Sequence, residues 1–489
     1  MKCFVRIFTV IAFGLTLVTS AWAQWSSDPN QNLALSDIRG ADQVQPKLLS
    51  LPNNSWYVSW FNNNPNDPPP QGYDVYYQLL NANGFEQFPH DGIQVAKLTL
   101  SSTEDYGLAI DANGNALLAF LDDRLNPDIP QVTAAKMSST GQALWGPSGV
   151  ALTIDPGSHA APKIAATSDG NIVVAWTTDD HVVLQKLDAN GHPLWAGVSA
   201  LAGGIMLREP GYFYWLADLH ASDNGSVIVS WVRNHGFGSN AYLYANKISA
   251  SGQLMWGAGH VKVFDGGSLQ FGEFPYFIPD SAGGAVFSWY SNSPSLQVYA
   301  QHILSNGTEA FGHNGSVGST NAFNVRVSPS ASYNPAAQET FLFWTEEDSN
   351  QFTNGVSGQK FNSAGTRQWT DSGLTIVPLG SDSQIFVENV QIGTGALVFW
   401  FDQPGFGSGT IQAIKLDGTG STVCAQFPVS SASSDKSRLA ASLASSGLSA
   451  LTWEDDRNGE NDIYIQNVNP DCSLGIEDRL RPKMATGNF

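Results

Sequence analysis

A phrase built on a turn glycine, seen in full as Asp188-Ala-Asn-Gly191-His-Pro-Leu-Trp195, returns about every 55 residues along the chain. Its glycine recurs at Gly84, Gly141, Gly191, Gly252, Gly307, Gly365 and Gly420. Six of these are followed four residues later by an aromatic: Phe88, Trp145, Trp195, Trp256, Phe311 and Trp369. Such a period means one supersecondary unit copied many times, each copy burying its apolar face against the next.

A second mark sets the number of copies. An aromatic closes an apolar run at Trp60, Phe120, Trp176, Trp231, Trp289, Trp344, Trp400 and Trp453, which makes eight. Six residues before it a turn glycine stands at Gly114, Gly170, Gly225, Gly283 and Gly447. Asn-Gly and Asp-Gly between apolar stretches are hairpin signals, because tight hairpin turns need positive φ. The third unit therefore reads as four antiparallel strands: Pro162–Thr167, Ile172–Trp176, Val182–Leu187 and a last one through Leu194-Trp195. Past the leader described below, no ten-residue stretch has helical periodicity.

Eight four-stranded units are best arranged as blades around an axis, since a ring leaves no long exposed sheet edge. The expected fold is all-β, an eight-bladed β-propeller. The last unit stops at Ile463–Gln466 without a fourth strand, and Leu33–Ser36 followed by Pro46-Lys47 matches Val150–Thr153 followed by Pro162-Lys163. The amino-terminal strand is thus expected to complete the last blade.

Residues 1–23 read as a secretory signal: Lys2 and Arg6, the apolar run Ile7–Val18, then Ala21-Trp22-Ala23. The expected organisation is a leader 1–23, a propeller 24–472 and a tail 473–489, exported to the periplasm or outside the cell. No other stretch approaches the ~20 apolar residues of a membrane span. A net charge of −20 at pH 7 disfavours nucleic acid, which needs basic patches. Beyond the leader the cysteines are Cys424 and Cys472, near matching turns of the last two units. A disulfide between neighbouring blades and two separate buried thiols are both open readings.

The stretch Ala135-Lys-Met-Ser-Ser-Thr140-Gly141-Gln-Ala-Leu-Trp145 resembles the tryptophan-docking repeat of eight-bladed quinoprotein dehydrogenases. The whole unit, with Trp176 and the Asp455-Asp-Arg457 loop, is more similar to repeats of uncharacterised secreted bacterial propellers, over residues from about 30 to about 472. The resemblance implies the fold and no activity. Quinoprotein chemistry is not implied, since an adjacent cysteine pair is missing and no quinone or calcium ligands can be matched. The sialidase-type turn Ser-x-Asp-x-Gly-x-Thr-Trp also fails to fit Asp188–Trp195.

Features shared by every blade are scaffold, so departures from the repeat point to function. Gln78, Gln185, Asn246, Gln301, Gln359 and Gln466 recur six residues before the turn glycine position and read as amides serving the backbone. Acidic groups follow the second strand at Asp122-Asp123-Arg124, Glu346-Glu347-Asp348 and Asp455-Asp456-Arg457. They read first as solvated loops with local ion pairs. Paired carboxylates there would serve glycoside hydrolysis, and the same oxygens would take calcium. No metal site and no cofactor are assigned, with calcium the one cation these loops would suit.

The clearest departures are the aromatic links into blades 4 and 5, Arg208–Trp215 and Phe271–Tyr276. Both should emerge on the face that carries Arg233-Asn234, beside the short loop of blade 3. The expected ligand-binding set is Tyr212, Phe213, Tyr214, Phe271, Phe274, Tyr276, Arg233 and Asn234. Aromatic faces edged by polar groups suit sugar rings or an extended peptide. The expected role is non-catalytic binding of a polysaccharide or a surface protein. A carbohydrate-active enzyme using the loop carboxylates and a structural assembly module are the rivals, and the sequence leaves the oligomeric state open.

Overall fold

The computed structural model describes residues 25–66, 69, 71–196, 204–405 and 407–476. The expected leader and residues 477–489 of the expected tail lie outside the described residues. Eight antiparallel sheets succeed one another along the chain as the blades of a propeller. Blade 3 is typical, with His159–Ala166 innermost, then Ile172–Thr178, His181–Leu187 and Ile205–Leu207. The only helical element among the described residues is a single turn at Asp223–Gly225.

Ring closure is as expected. Blade 8 consists of Lys436–Leu443, Ser449–Asp455 and Asp462–Val468, and its outer strand is Leu33–Ser36, with Leu33 opposite Ile465 and Ala34 opposite Tyr464. The packed part of blade 8 also reaches past residue 472: Asn467 Nδ2 donates to the Gly475 carbonyl at 2.8 Å, and Ile476 packs on the blade 8 and blade 1 cluster.

The second strands explain the apolar runs. A blade lies between two others, so both faces of its middle strands are covered and period-2 alternation disappears. Every residue of Ala116–Asp122, Ile172–Thr178 and Ser449–Asp455 is buried. The aromatics that mark the blades, Trp60 through Trp453, are buried to 1% exposure or less.

The turn phrase is a dock between blades. Gln185 on the third strand of blade 3 accepts from the Trp195 N–H and donates to the Trp195 carbonyl, both at 3.1 Å, fixing the aromatic. The Trp195 indole then donates to the Ala250 carbonyl of blade 4 at 3.1 Å and lies against Gly252. A Cβ at Gly307, with φ of +84°, would stand 2.7 Å from the Trp256 ring, so this turn needs glycine for space as well as conformation. The same two-point amide clasp recurs at Gln78, Asn246, Gln301 and Gln359.

Two docks are built from unexpected parts. Trp25 supplies the aromatic of blade 8, donating to the Ala82 carbonyl of blade 1 at 2.9 Å over Gly84. Between blades 7 and 8 the dock is covalent. Cys424 stands where blade 7 would carry its aromatic, Cys472 stands at the positive-φ turn position of blade 8, and the two form a disulfide.

One expectation is corrected. Leu194-Trp195 does not form the fourth strand of blade 3. Pro193 closes a single bridge back to Leu187, the aromatic docks, and only later does Ile205–Leu207 pair with Val182–Leu184. Docking takes the ring toward the neighbouring blade, so the phrase cannot also continue the ladder.

Candidate functional site

Blade 5 breaks the pattern at its innermost strand. Ser268–Leu269 and Phe277–Pro279 both pair with Ala285–Ser293, and Gln270–Tyr276 leaves the sheet between them. This excursion divides two cavities: Gly272, Glu273 and Phe274 line both.

On the outer side lies a groove between blades 4 and 5 of about 720 Å³. Its walls are Phe213, Trp215, Phe237, Phe271 and Phe274, with Asn234, Asn240, Gln270 and Asn292 among the polar groups at its edge. Phe237 is 93% exposed and Phe271 76%, and their rings meet edge to face at 5.6 Å. Phe213 stacks on Trp215 at 6.1 Å with 9° between planes. Exposed aromatic rings that touch one another form an apolar patch, the kind of surface that contact sites use. The Glu273 carboxyl sits in the dividing wall, accepting from the Tyr290 N–H at 2.9 Å, and burial pushes it well above the usual carboxylate range.

On the inner side is the axial channel, a cavity of about 630 Å³. Its shape follows from a bulge repeated in the inner strands of blades 1, 3, 6, 7 and 8. The bulged residues Gln45, Ala161, Ser328, Phe386 and Arg438 all have positive φ, and such bulges bend a strand and re-aim its side chains. From blades 2, 3, 5, 7 and 8 the channel receives Asp105, Lys163, Tyr276, Glu388 and Arg438. Lys47 reaches Asp105 at 2.6 Å, Lys163 pairs with its other oxygen, and Tyr276 Oη donates to that oxygen at 3.0 Å. Burial alone would raise the Asp105 carboxyl, but the two lysines hold it well below the usual range. Enclosure within the narrow channel, which strips away bulk water although the ring borders the open cavity, pushes Tyr276 well above the phenol range, with Asp105 adding to the effect.

The structure splits the expected set. Phe213, Asn234, Phe271 and Phe274 come together in the groove. Tyr212 and Arg233 form its buttress: the guanidinium lies 3.6 Å from the Tyr212 ring centre, donates to Tyr244 Oη at 2.6 Å and pairs with Glu209 at 3.1 Å. Tyr214 is 1% exposed and stacks on Trp231 at 5.4 Å, inside the blade. Tyr276 is 58% exposed, but into the channel rather than the groove. Tyr214→Ala is therefore expected to lower stability by about 3 kcal/mol, as for other buried rings, with Phe274→Ala within about 1 kcal/mol of wild type. Denaturant midpoints of the two variants check this ordering.

Sequence reasoning missed Phe237 and the whole channel, and left Trp215, the last residue of the link it singled out, off the expected set. Phe237, in Asn234-His-Gly-Phe-Gly-Ser239, carried a signal: an aromatic between glycines with no apolar neighbours to bury it. For the channel the signal was the repeated Pro46-Lys47 and Pro162-Lys163, which mark the bulges.

The loop carboxylates are occupied within the scaffold. Asp122 pairs with Arg124 at 2.6 Å, Glu346 with Arg326 at 2.9 Å and Asp455 with Lys436 at 3.2 Å. Glu346 and Asp455 also accept from the Trp344 and Trp453 indoles. Among the described residues, one group of three possible metal donors lies elsewhere, at Asp37, His90 and Asp91, and holds no buried carboxylate.

Fold and cavities define the class, an eight-bladed propeller with a side groove and a charged axis. No protein-family model matches the chain, and no curated protein matches it. Among solved structures it is similar to a protein of unknown function from Dyadobacter fermentans, at 7% identity over 91% of this chain and 98% of that one, TM-score 0.39. It is also similar to an ulvan lyase from a new polysaccharide lyase family, at 11% identity over 82% and 97%, TM-score 0.47. A third is the β-propeller domain of the trilobed protease of Pyrococcus furiosus, at 8% over 80% and 96%, TM-score 0.41. Likenesses this remote concern the fold alone. No helix among the described residues is long and apolar enough to cross a membrane.

Proposed function

We propose that the protein is an exported, non-catalytic binding propeller whose groove between blades 4 and 5 takes a polysaccharide chain. The observation that carries this reading is the pair of exposed rings, Phe237 and Phe271, set in a groove with Phe213, Trp215 and Phe274 and edged by amides. Flat aromatic walls stack on the apolar faces of sugar rings, and side-chain amides can both give and take hydrogen bonds with hydroxyls. The reading includes no cofactor, and an extended segment of a surface protein is the second occupant such a groove would accept.

Phe271→Ala and Phe237→Ala are expected to weaken glycan binding about tenfold each, at ~1.4 kcal/mol per lost stacking contact, without lowering the melting temperature. Melting of purified protein against soluble polysaccharides, with calcium and with chelator, finds the ligand first. A saturating ligand at a hundredfold excess over its Kd should add about 2.7 kcal/mol. Binding that survives both substitutions removes the groove from the function.

A further inference from the structure

We propose that the axial channel is a second site, for a carboxylate-bearing anion, in which the Arg438 guanidinium grips the ligand and Glu388 donates a hydrogen bond to it. Nothing in this proposal depends on the groove.

The charge on the channel walls runs against that of the chain. The protein carries −20 overall, yet Lys47, Lys163 and Arg438 converge on its axis. The two lysines are already spent on Asp105. Arg438 faces the same cavity, is exposed there, and forms no ion pair or hydrogen bond with any described residue. An arginine held at a bulge with φ of +56° and left without a partner is a fork presented to the cavity.

The carboxyl groups that could cancel this charge do not. Asp218 is bound to His220 at 3.0 Å and accepts from the Phe277 N–H. Burial keeps Glu273 well above the usual carboxylate range. Burial also pushes Glu388 up to about 7, although the Ser330 hydroxyl donates to it at 3.0 Å. In mildly acid solution Glu388 is therefore a neutral acid with a proton to give. One free guanidinium lining the same cavity as a neutral acid suits the single charge and planar oxygens of a carboxylate. A phosphate dianion would call for a second unspent cation.

The other titratable groups that line the channel are Asp105, Lys163, Tyr276 and Arg438, with Lys47 paired to Asp105, Tyr290 and Glu273 on the dividing wall, and Asp218 with His220 behind Phe277. Raising the pH through about 7 ionises Glu388, removes its proton and sets a negative charge against the ligand. Affinity for the anion should be high below that point and fall above it.

Calorimetric titration of the full chain with galacturonate, galactose, trigalacturonate and inorganic phosphate tests the site. Galacturonate should bind at least about tenfold more tightly than galactose, and Arg438→Gln should remove that advantage without shifting the melting temperature. Wild-type affinity should fall between pH 5.5 and 8.5, and Glu388→Gln should flatten that profile, which titration of any other group would leave in place. A trimer that binds more tightly than the monomer, and loses this gain in Phe271→Ala, identifies the acid as a unit of a chain lying in the groove. Equal affinities identify a free acid, with the channel site upheld and the groove unused. Equal binding of galactose and galacturonate, preference for phosphate, or an Arg438→Gln variant that binds normally would overturn the proposal.

Discussion

A chain shortened to begin at Asp37 is expected to lose roughly 5–9 kcal/mol of stability, since it leaves the burial of Trp25, Leu33 and Leu35 undone at about 1.5–3 kcal/mol each. These residues are 3%, 4% and 0% exposed. The shortened chain also loses the ladder to Ile463–Ile465, the Trp25 dock on blade 1 and the clasp of Gln466 on the Ser26 carbonyl. Asn32, which ties the strand to blade 7 through the Val429 carbonyl at 3.0 Å, goes with them. A domain's whole margin is about 5–15 kcal/mol, so the open ring should be close to unfolding. Urea unfolding of residues 25–489 and 37–489 measures the difference. A change under about 1 kcal/mol would show that blade 8 stands without its amino-terminal strand. Trp25→Ala isolates the dock and should alone cost about 3 kcal/mol.

The ring was legible because its rules are local and repeated. A turn glycine, an aromatic four residues on and an amide on the preceding strand are one device, and the structure shows each part touching the others. The same arithmetic places Cys424 at the aromatic position and Cys472 at a turn, which is why the disulfide replaces a dock and joins adjacent blades. Cross-linking there closes a 48-residue span of the unfolded chain, the entropic gain expected of such a bond.

The site was legible only in part, and the reason is distance along the chain. Phe213, Phe271 and Phe274 sit in adjacent blades, so departures in two neighbouring links could be read together. Tyr276 meets Asp105 across 171 residues, a contact that exists only after the ring closes. Nothing local distinguishes Tyr214, which faces Trp231, from Phe213, which faces the groove, except a strand alternation that the link obscures. The bulges matter most here, since they decide which side chains of the inner strands turn to the axis.

Asp455→Ala separates scaffold from chemistry in the acidic loops. The carboxylate is fully buried and holds four groups: Lys436 at 3.2 Å, Arg457 at 2.5 Å, the Trp453 indole at 2.8 Å and the Ser434 hydroxyl at 2.7 Å. Removing it leaves the Lys436 ammonium, itself fully buried, without its counter-charge, and breaking such a pair costs about 3–5 kcal/mol. Burial would raise the Asp455 carboxyl, but Arg457 and Lys436 hold it below its ordinary value of 3.8. A carboxylate depressed by folding adds stability above its unfolded pKa and loses it as the pH falls through the lower folded value. The deficit of Asp455→Asn relative to wild type should therefore be full at pH 7 and shrink below about pH 4. Denaturant midpoints at pH 7 and pH 3 measure it. An Asp455→Ala protein as stable as wild type would mean that the carboxylate is kept for something other than the fold, and the loops after Trp344 and Trp453 would return as candidates for acid–base work. A deficit of the expected size assigns these charges to the packing of the blades.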